Sequence, residues 1–217
     1  MSFFRLDSPL MRGLTKLADL MLLNILAVVC SIPIITLGAS ASALYYAVGH
    51  LQEDEGSPTR DFFHAFRQNL KQATVIWLIL AVTGAALLFA TLYYLAVNMT
   101  GGTILLTITC LAWLLWAFLF SWVFPLQCKF ENTVRNTLNN ALLLSLGYSP
   151  RSLLTAVINA VPVVLALLLP WHFLAGGIVW LGIWFSPAAS INWRLLKKPL
   201  ERLIASSEVQ EQDNGQA

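Results

Sequence analysis

Few residues in this chain are equipped for chemistry, and their spacing does not assemble them. Cys30, Cys110 and Cys128 lie within or at the end of apolar runs, and no C-x-x-C pair points to a zinc or redox site. They read as packing residues. His50, His64 and His172 are far apart and lack metal-ligand spacing. No nucleophile elbow, phosphate loop or dinucleotide fingerprint occurs. Neither an enzyme nor a bound cofactor or metal is expected, and no nucleic-acid partner.

What remains is a set of polar residues inside apolar surroundings: Asp19, Asn24, Thr36, Asn159, Ser186, Ser190 and Asn192. Polar groups at membrane depth are costly and often functional. One reading makes Asp19, Asn159, Ser190 and Asn192, with Asn24 and Thr36, the lining of a solute path. The other, and the stronger, has them hydrogen-bond helix to helix, with Asp19 and Asn192 at the interface. Asp19 and Asn24 are five positions apart and do not share a helix face well. No inward series of Lys, Arg, Glu or His is present to relay protons, which counts against ion-driven transport.

Composition defines the elements that must position these groups. The 217 residues are 58% hydrophobic and only 11% charged, against about 45–50% and 25% in soluble domains. Lipid must cover most of the exterior, where only helices and closed barrels satisfy their own backbone. The apolar runs do not alternate, as barrel strands would. The expected fold is therefore all-α: a polytopic membrane helix bundle of five to six spans, one transmembrane domain over 1–205. The spans fall at 73–97, 103–124 (stopped by Pro125), 150–169 and 173–193, with a first apolar region at 17–51; a polar, disordered tail follows from 206 to 217. The positive leader and Ala39-Ser40-Ala41 mimic a signal peptide, but the apolar run is too long and an uncleaved helix fits better.

Charge placement bears on topology. All 13 Lys and Arg residues fall in four groups: before residue 17, from Arg60 to Lys71, from Lys129 to Arg151, and from Arg194 onward. The turns at Asn98–Gly102 and Pro170–His172 carry none. The positive-inside rule puts all four groups, and both termini, in the cytoplasm. That requires 17–51 to cross twice or to re-enter, turning at Pro33 and Gly38, although it is short for two spans of about 17–25 residues each. A single crossing is the alternative and strands three positive charges outside.

Two cytoplasmic amphipathic helices are also expected. Ser57-Pro58 opens one at 57–72, with Phe62, Phe63, Phe66 and Leu70 on one stripe and Arg60, Arg67 and Lys71 on the other. A second, at 129–147, places Phe130, Val134, Leu138 and Leu142 at helical spacing and ends at Gly147. The pattern of amphipathic helix, span, turn, span then repeats in architecture, not in sequence. The small residues Gly38, Ala39, Ser42 and Ala43 form a close-packing seam, within the chain or for a partner, and Gly176, Gly177 and Gly182 are similar. Most of the tryptophans suit an aromatic belt. Asn98-Met99-Thr100 matches a glycosylation sequon by chance, in a tight loop.

Asn24-Ile25-Leu26, then Ser31-Ile32-Pro33-Ile34-Ile35-Thr36-Leu37-Gly38-Ala39, then Ala43-Leu44-Tyr45-Tyr46, resembles the N-terminal signature of the YesL family of bacterial membrane proteins. A second block, Arg60-Asp61-Phe62-Phe63-x-x-Phe66-x-x-Asn69-Leu70-Lys71-Gln72-Ala73, resembles that family's next motif. The resemblance implies a plasma-membrane protein of bacteria, mostly Gram-positive, associated with carbohydrate ABC transporters. It brings no catalytic or binding residues. The expected function is accordingly a non-enzymatic accessory that helps such a transporter assemble, persist or respond, in contact with the bilayer and with permease or ATPase subunits. A small solute transporter or channel acting alone is the runner-up, and a self-associating scaffold the third reading.

Overall fold

The computed structural model describes residues 9–96, 102–130, 132–168 and 184–204. The expected turns around residues 98–101 and 170–172, the glycines of the last span with its residues 173–183, the sequon and the C-terminal tail lie outside the described residues. Seven α-helices are described: α1 (Pro9–Ser31), α2 (Leu37–Gln52), α3 (Pro58–Ala96), α4 (Gly102–Gln127), α5 (Val134–Gly147), α6 (Ser149–Leu168) and α7, residues 184–204. Among the described residues there is no strand. Among the described residues, four helical segments are long and apolar enough to cross a bilayer: Leu10–Ser31, Ile34–Gln52, Pro58–Ala96 and Thr103–Gln127. Counting the bent pair α5–α6 as one more gives five.

The first apolar region is a helical hairpin. Pro33 cannot donate to a helix ladder and disfavours helix at the residue before it, so α1 stops at Ser31 and a short 3₁₀ turn, Ile34–Thr36, reverses the chain. The Thr36 hydroxyl lies 2.6 Å from the Cys30 carbonyl and 2.8 Å from that of Pro33, and so serves the carbonyls that α1 leaves open. Antiparallel pairing runs the length of the hairpin: Ser40 donates to the Ala27 carbonyl at 2.8 Å, and Lys16 meets Asp54 at 2.7 Å.

Gly38 is not part of that turn. It lies in the first turn of α2, where an added Cβ would stand 2.4 Å from the Ala73 carbonyl oxygen and 2.6 Å from Trp77 Cβ. Pro33 alone accounts for the reversal, and Gly38 lets α2 approach α3 at backbone distance. The return from α2 to α3 uses left-handed backbone at Asp54 (φ 57°) and Gly56 (φ 71°).

The expected amphipathic helix at 57–72 and span at 73–97 are one unbroken helix, α3, of 39 residues. Nothing between Thr59 and Ala96 interrupts it, since proline is absent there. At 1.5 Å per residue α3 is about 58 Å long, roughly twice a bilayer's ~30 Å core. Of its aromatic stripe, Phe62 is fully buried and Phe66 half-buried against the helix bundle, while Phe63 is exposed. Helix α4 likewise runs through Pro125 to Gln127, because a proline so near the helix end forfeits a single ladder bond.

Helix α5 starts at Val134, later than expected, where the Thr133 side chain accepts from the Asn136 amide at 3.4 Å. Its fully buried residues are Thr137, Ala141 and Ser145; Leu138 and Leu144, like Phe130 and Val134, pack half-buried against the core, while Leu142, Leu143 and Leu146 face outward. Lipid is as apolar as leucine, so small and polar residues take the helix contacts. The α5–α6 junction bends by 107°.

Candidate functional site

Helix α2 occupies the centre of the bundle, and most of the polar residues singled out in the sequence gather around it from α1, α6 and α7. Tyr45, on α2, is buried. Asn192 of α7 donates to the Tyr45 hydroxyl at 3.1 Å and to Asn159 Oδ1 at 2.9 Å. Asn159 of α6 in turn donates to Ser121 of α4 at 3.3 Å, and Ser121 to the Ala117 carbonyl at 2.8 Å. Asn24 of α1, almost fully buried, accepts from the Ser186 backbone amide at 2.9 Å. Nearer the α2 C-terminus, Gln52 donates to both the carbonyl and the hydroxyl of Ser190, each at 2.9 Å. Trp122 donates to Ser152 at 2.7 Å, and Ser152 lies 2.7 Å from the Ser145 carbonyl, which ties α4, α5 and α6 together.

The structure thus joins Asn159 and Asn192 directly and places Asn24, Ser186 and Ser190 in neighbouring helix contacts. It does not join Asp19, which is half-buried on α1 and makes no hydrogen bond with these groups. Thr36 belongs to the hairpin turn. Ala39, Ser42 and Ala43 are buried, with Gly38, in the intramolecular contact of α2. Asn69 accepts from Gln127 at 3.2 Å and Gln72 donates to the Asn132 carbonyl, so the polar side of α3 anchors the link between α4 and α5. Tyr45, Ser121, Gln52 and Ser152 were not foreseen. Their one signal was a polar side chain at helical spacing from small residues, which does not say across which helix it will bond.

Beside this polar seam lies a cavity of about 480 Å³ between α1, α2, α4, α6 and α7. Its walls are mostly apolar, among them Leu44, Phe124 and Ala188, and among the described residues no charged one lines it. Its polar groups come from Tyr45, Asn159, Ser31, Trp184 and Ser40, the last with its hydroxyl spent on Ala27. In size it falls within the ~300–1,000 Å³ of small-molecule sites.

Charged groups meet at one end of the bundle. Besides Lys16–Asp54, Lys197 of α7 pairs with Glu53 at 2.9 Å, and Lys129 lies 5.3 Å over the Trp193 ring. His50 Nδ1 is 3.5 Å from Asp61. The Lys197 hydrogen bond holds the Glu53 carboxyl below its ordinary pKa against an opposing push from burial, and the same bond raises the Lys197 ammonium. Among the described residues no three His, Cys, Asp or Glu side chains converge on a metal-sized site.

Residues 20–91 match the profile of a family described as a protein of unknown function, DUF624. The match covers the second half of α1, all of α2 and most of α3, and so includes Asn24, Pro33, Gly38 and Tyr45, but not the α6 and α7 members of the polar seam. The chain matches no curated protein and no solved structure.

Proposed function

We propose that this chain is a bacterial plasma-membrane protein of the YesL type, a non-enzymatic accessory that assists the assembly, stability or regulation of a carbohydrate ABC transporter through its permease or ATPase subunits. The observation that carries this reading is how the buried polar groups are spent. Asn24, Asn159, Asn192 and Tyr45 bond across helices to one another or to backbone, as structural glue does. Around this framework α1 and α3 offer a broad apolar exterior to lipid or to a partner's spans. The resemblance of the signature and second block supplies the transporter context.

The same reading places both termini and residues 53–57 in the cytoplasm. Its support is that Lys16, Lys129 and Lys197, one from each of three separate basic groups, come together at the end where α2 meets α3. Reporters fused at the N-terminus and at residue 56 should read the same, cytoplasmic, side; opposite sides would sink the topology. For the accessory role the test is co-purification of a tagged copy at native expression in mild detergent. Permease or ATPase chains should accompany it at fixed ratio, whereas recovery alone or only with itself counts against the role.

The cavity favours a second reading, a small transporter or channel acting alone. Solute flux through vesicles containing only this chain would establish it, and would displace the accessory reading.

A further inference from the structure

We infer that the cavity between α1, α2, α4, α6 and α7 binds a membrane lipid, holding one acyl chain against its apolar walls with the ester carbonyl at Tyr45. This goes beyond the accessory role and does not depend on it.

Three observations select this occupant. First, polar groups are sparse in the lining, at Ser31, Ser40, Tyr45, Asn159 and Trp184 among otherwise apolar residues. Asn159 donates to Ser121 and accepts from Asn192, and Ser40 donates to Ala27. The Tyr45 hydroxyl accepts from Asn192, but no acceptor among the described residues takes its own hydrogen. So small a set of polar groups in an apolar site suits a ligand with few acceptors. A sugar, with many hydroxyls, would leave most of them unpaired, at a cost no such lining repays. Second, the lining carries no charge among the described residues, so an ionic headgroup is excluded from the interior and must stay outside it. Third, Val163 and Phe185 line the cavity and are also 60% and 42% exposed. The cavity therefore shares apolar lining residues with the exposed outer surface of the bundle, which faces lipid, and the bilayer is the phase that supplies the ligand.

The test reconstitutes the full chain in phosphatidylglycerol–phosphatidylethanolamine vesicles that contain a phospholipid with a diazirine on one acyl chain. After irradiation, adducts are mapped by peptide mass spectrometry. At residue level, labels should fall on the buried lining residues Leu44, Tyr45 and Ala189, along with the exposed lipid-facing residues Val82 and Phe89 of α3. Ala188→Phe, which fills the cavity, should abolish labelling of those three buried residues and leave that of α3 unchanged; the α3 signal reports that the variant is folded and inserted. Tyr45→Phe keeps the shape and removes only the donor, and should lower cavity labelling roughly threefold to tenfold. Unlabelled cavity residues in the native chain, or equal labelling in Ala188→Phe with the α3 signal intact, would overturn the inference. Should Ala188→Phe lose the α3 signal, the native chain and Tyr45→Phe decide: cavity labelling unaltered by loss of the hydroxyl removes the assigned role of Tyr45.

Discussion

Helices α1 and α2 flank one turn and run back along each other, yet they handle their surfaces in opposite ways. Leu14, Leu17, Met21, Ile25 and Val29 of α1 recur at helical spacing and are each about half exposed. The α2 span, built from Gly, Ala and Ser with two tyrosines, is 56% buried, against 17% for α1. In water the more apolar helix would be drawn inward. In lipid no such force acts between helices, and close approach, dispersion and interhelical hydrogen bonds decide which surface is inside. The α5 helix repeats the lesson with Thr137, Ala141 and Ser145 fully buried and three of its leucines, Leu142, Leu143 and Leu146, turned out.

The contrast predicts a steep gradient of mutational effects. The largest belongs to Gly38→Leu. Its Cβ meets backbone at Ala73, which cannot swing aside, so destabilisation of about 3 kcal/mol or more is expected, visible as loss of the monodisperse peak in detergent. A native-like melting temperature would show that the α2–α3 seam yields, and would erase the difference between the two helices.

Asn192→Leu comes next. It removes two interhelical hydrogen bonds, from Tyr45 and Asn159, and leaves the Asn159 carbonyl buried. Interhelical bonds of this kind average about 0.6 kcal/mol and reach about 1.7, so a loss of roughly 1–2 kcal/mol is expected. A double-mutant cycle with Tyr45→Phe should show coupling; additivity would mean the two side chains do not share a bond.

The charged end should matter less. Glu53 has a lowered pKa when folded, so its contribution is present above its unfolded pKa and is lost as pH falls through the folded one. Lys197 has a raised pKa, so its contribution is present below its unfolded value and is lost as pH rises through the folded one. Their pair is partly exposed and screened, and Lys197→Met should cost less than about 1 kcal/mol. Melting between neutral pH and about pH 3 should show the native chain losing that advantage over the variant as Glu53 is protonated. An unchanged gap across the acid limb would remove the pair from the account.

Smallest of all is Ile25→Ala on α1. It trades a lipid contact for a lipid contact, and a shift within about 0.5 kcal/mol is expected. A loss comparable with that of Gly38→Leu would mean that α1's outer face is covered, and would point to a partner there.

Much of this was legible in the residues. Continuous apolar runs with scarce charge dictate membrane helices, because lipid leaves the backbone no other partner. Pro33 marks the hairpin turn because it withholds a donor wherever it stands. Distribution of the basic groups already implied that they belong at one end. These are local or compositional constraints, and they act whatever the neighbours are.

Other features awaited the assembled bundle. That Gly38 is a contact and not a turn depends on Ala73 and Trp77, which are distant in sequence. Whether the Phe62 stripe meets lipid or protein depends on α2 already occupying that face. The linkage of Tyr45, Asn159 and Asn192, and the cavity beside it, brings together residues more than a hundred positions apart. Hydrophobic pattern specifies which segments enter lipid, because transfer is a property of each segment. Which polar side chains then find each other is a property of how the helices pack, and that only the tertiary structure decided.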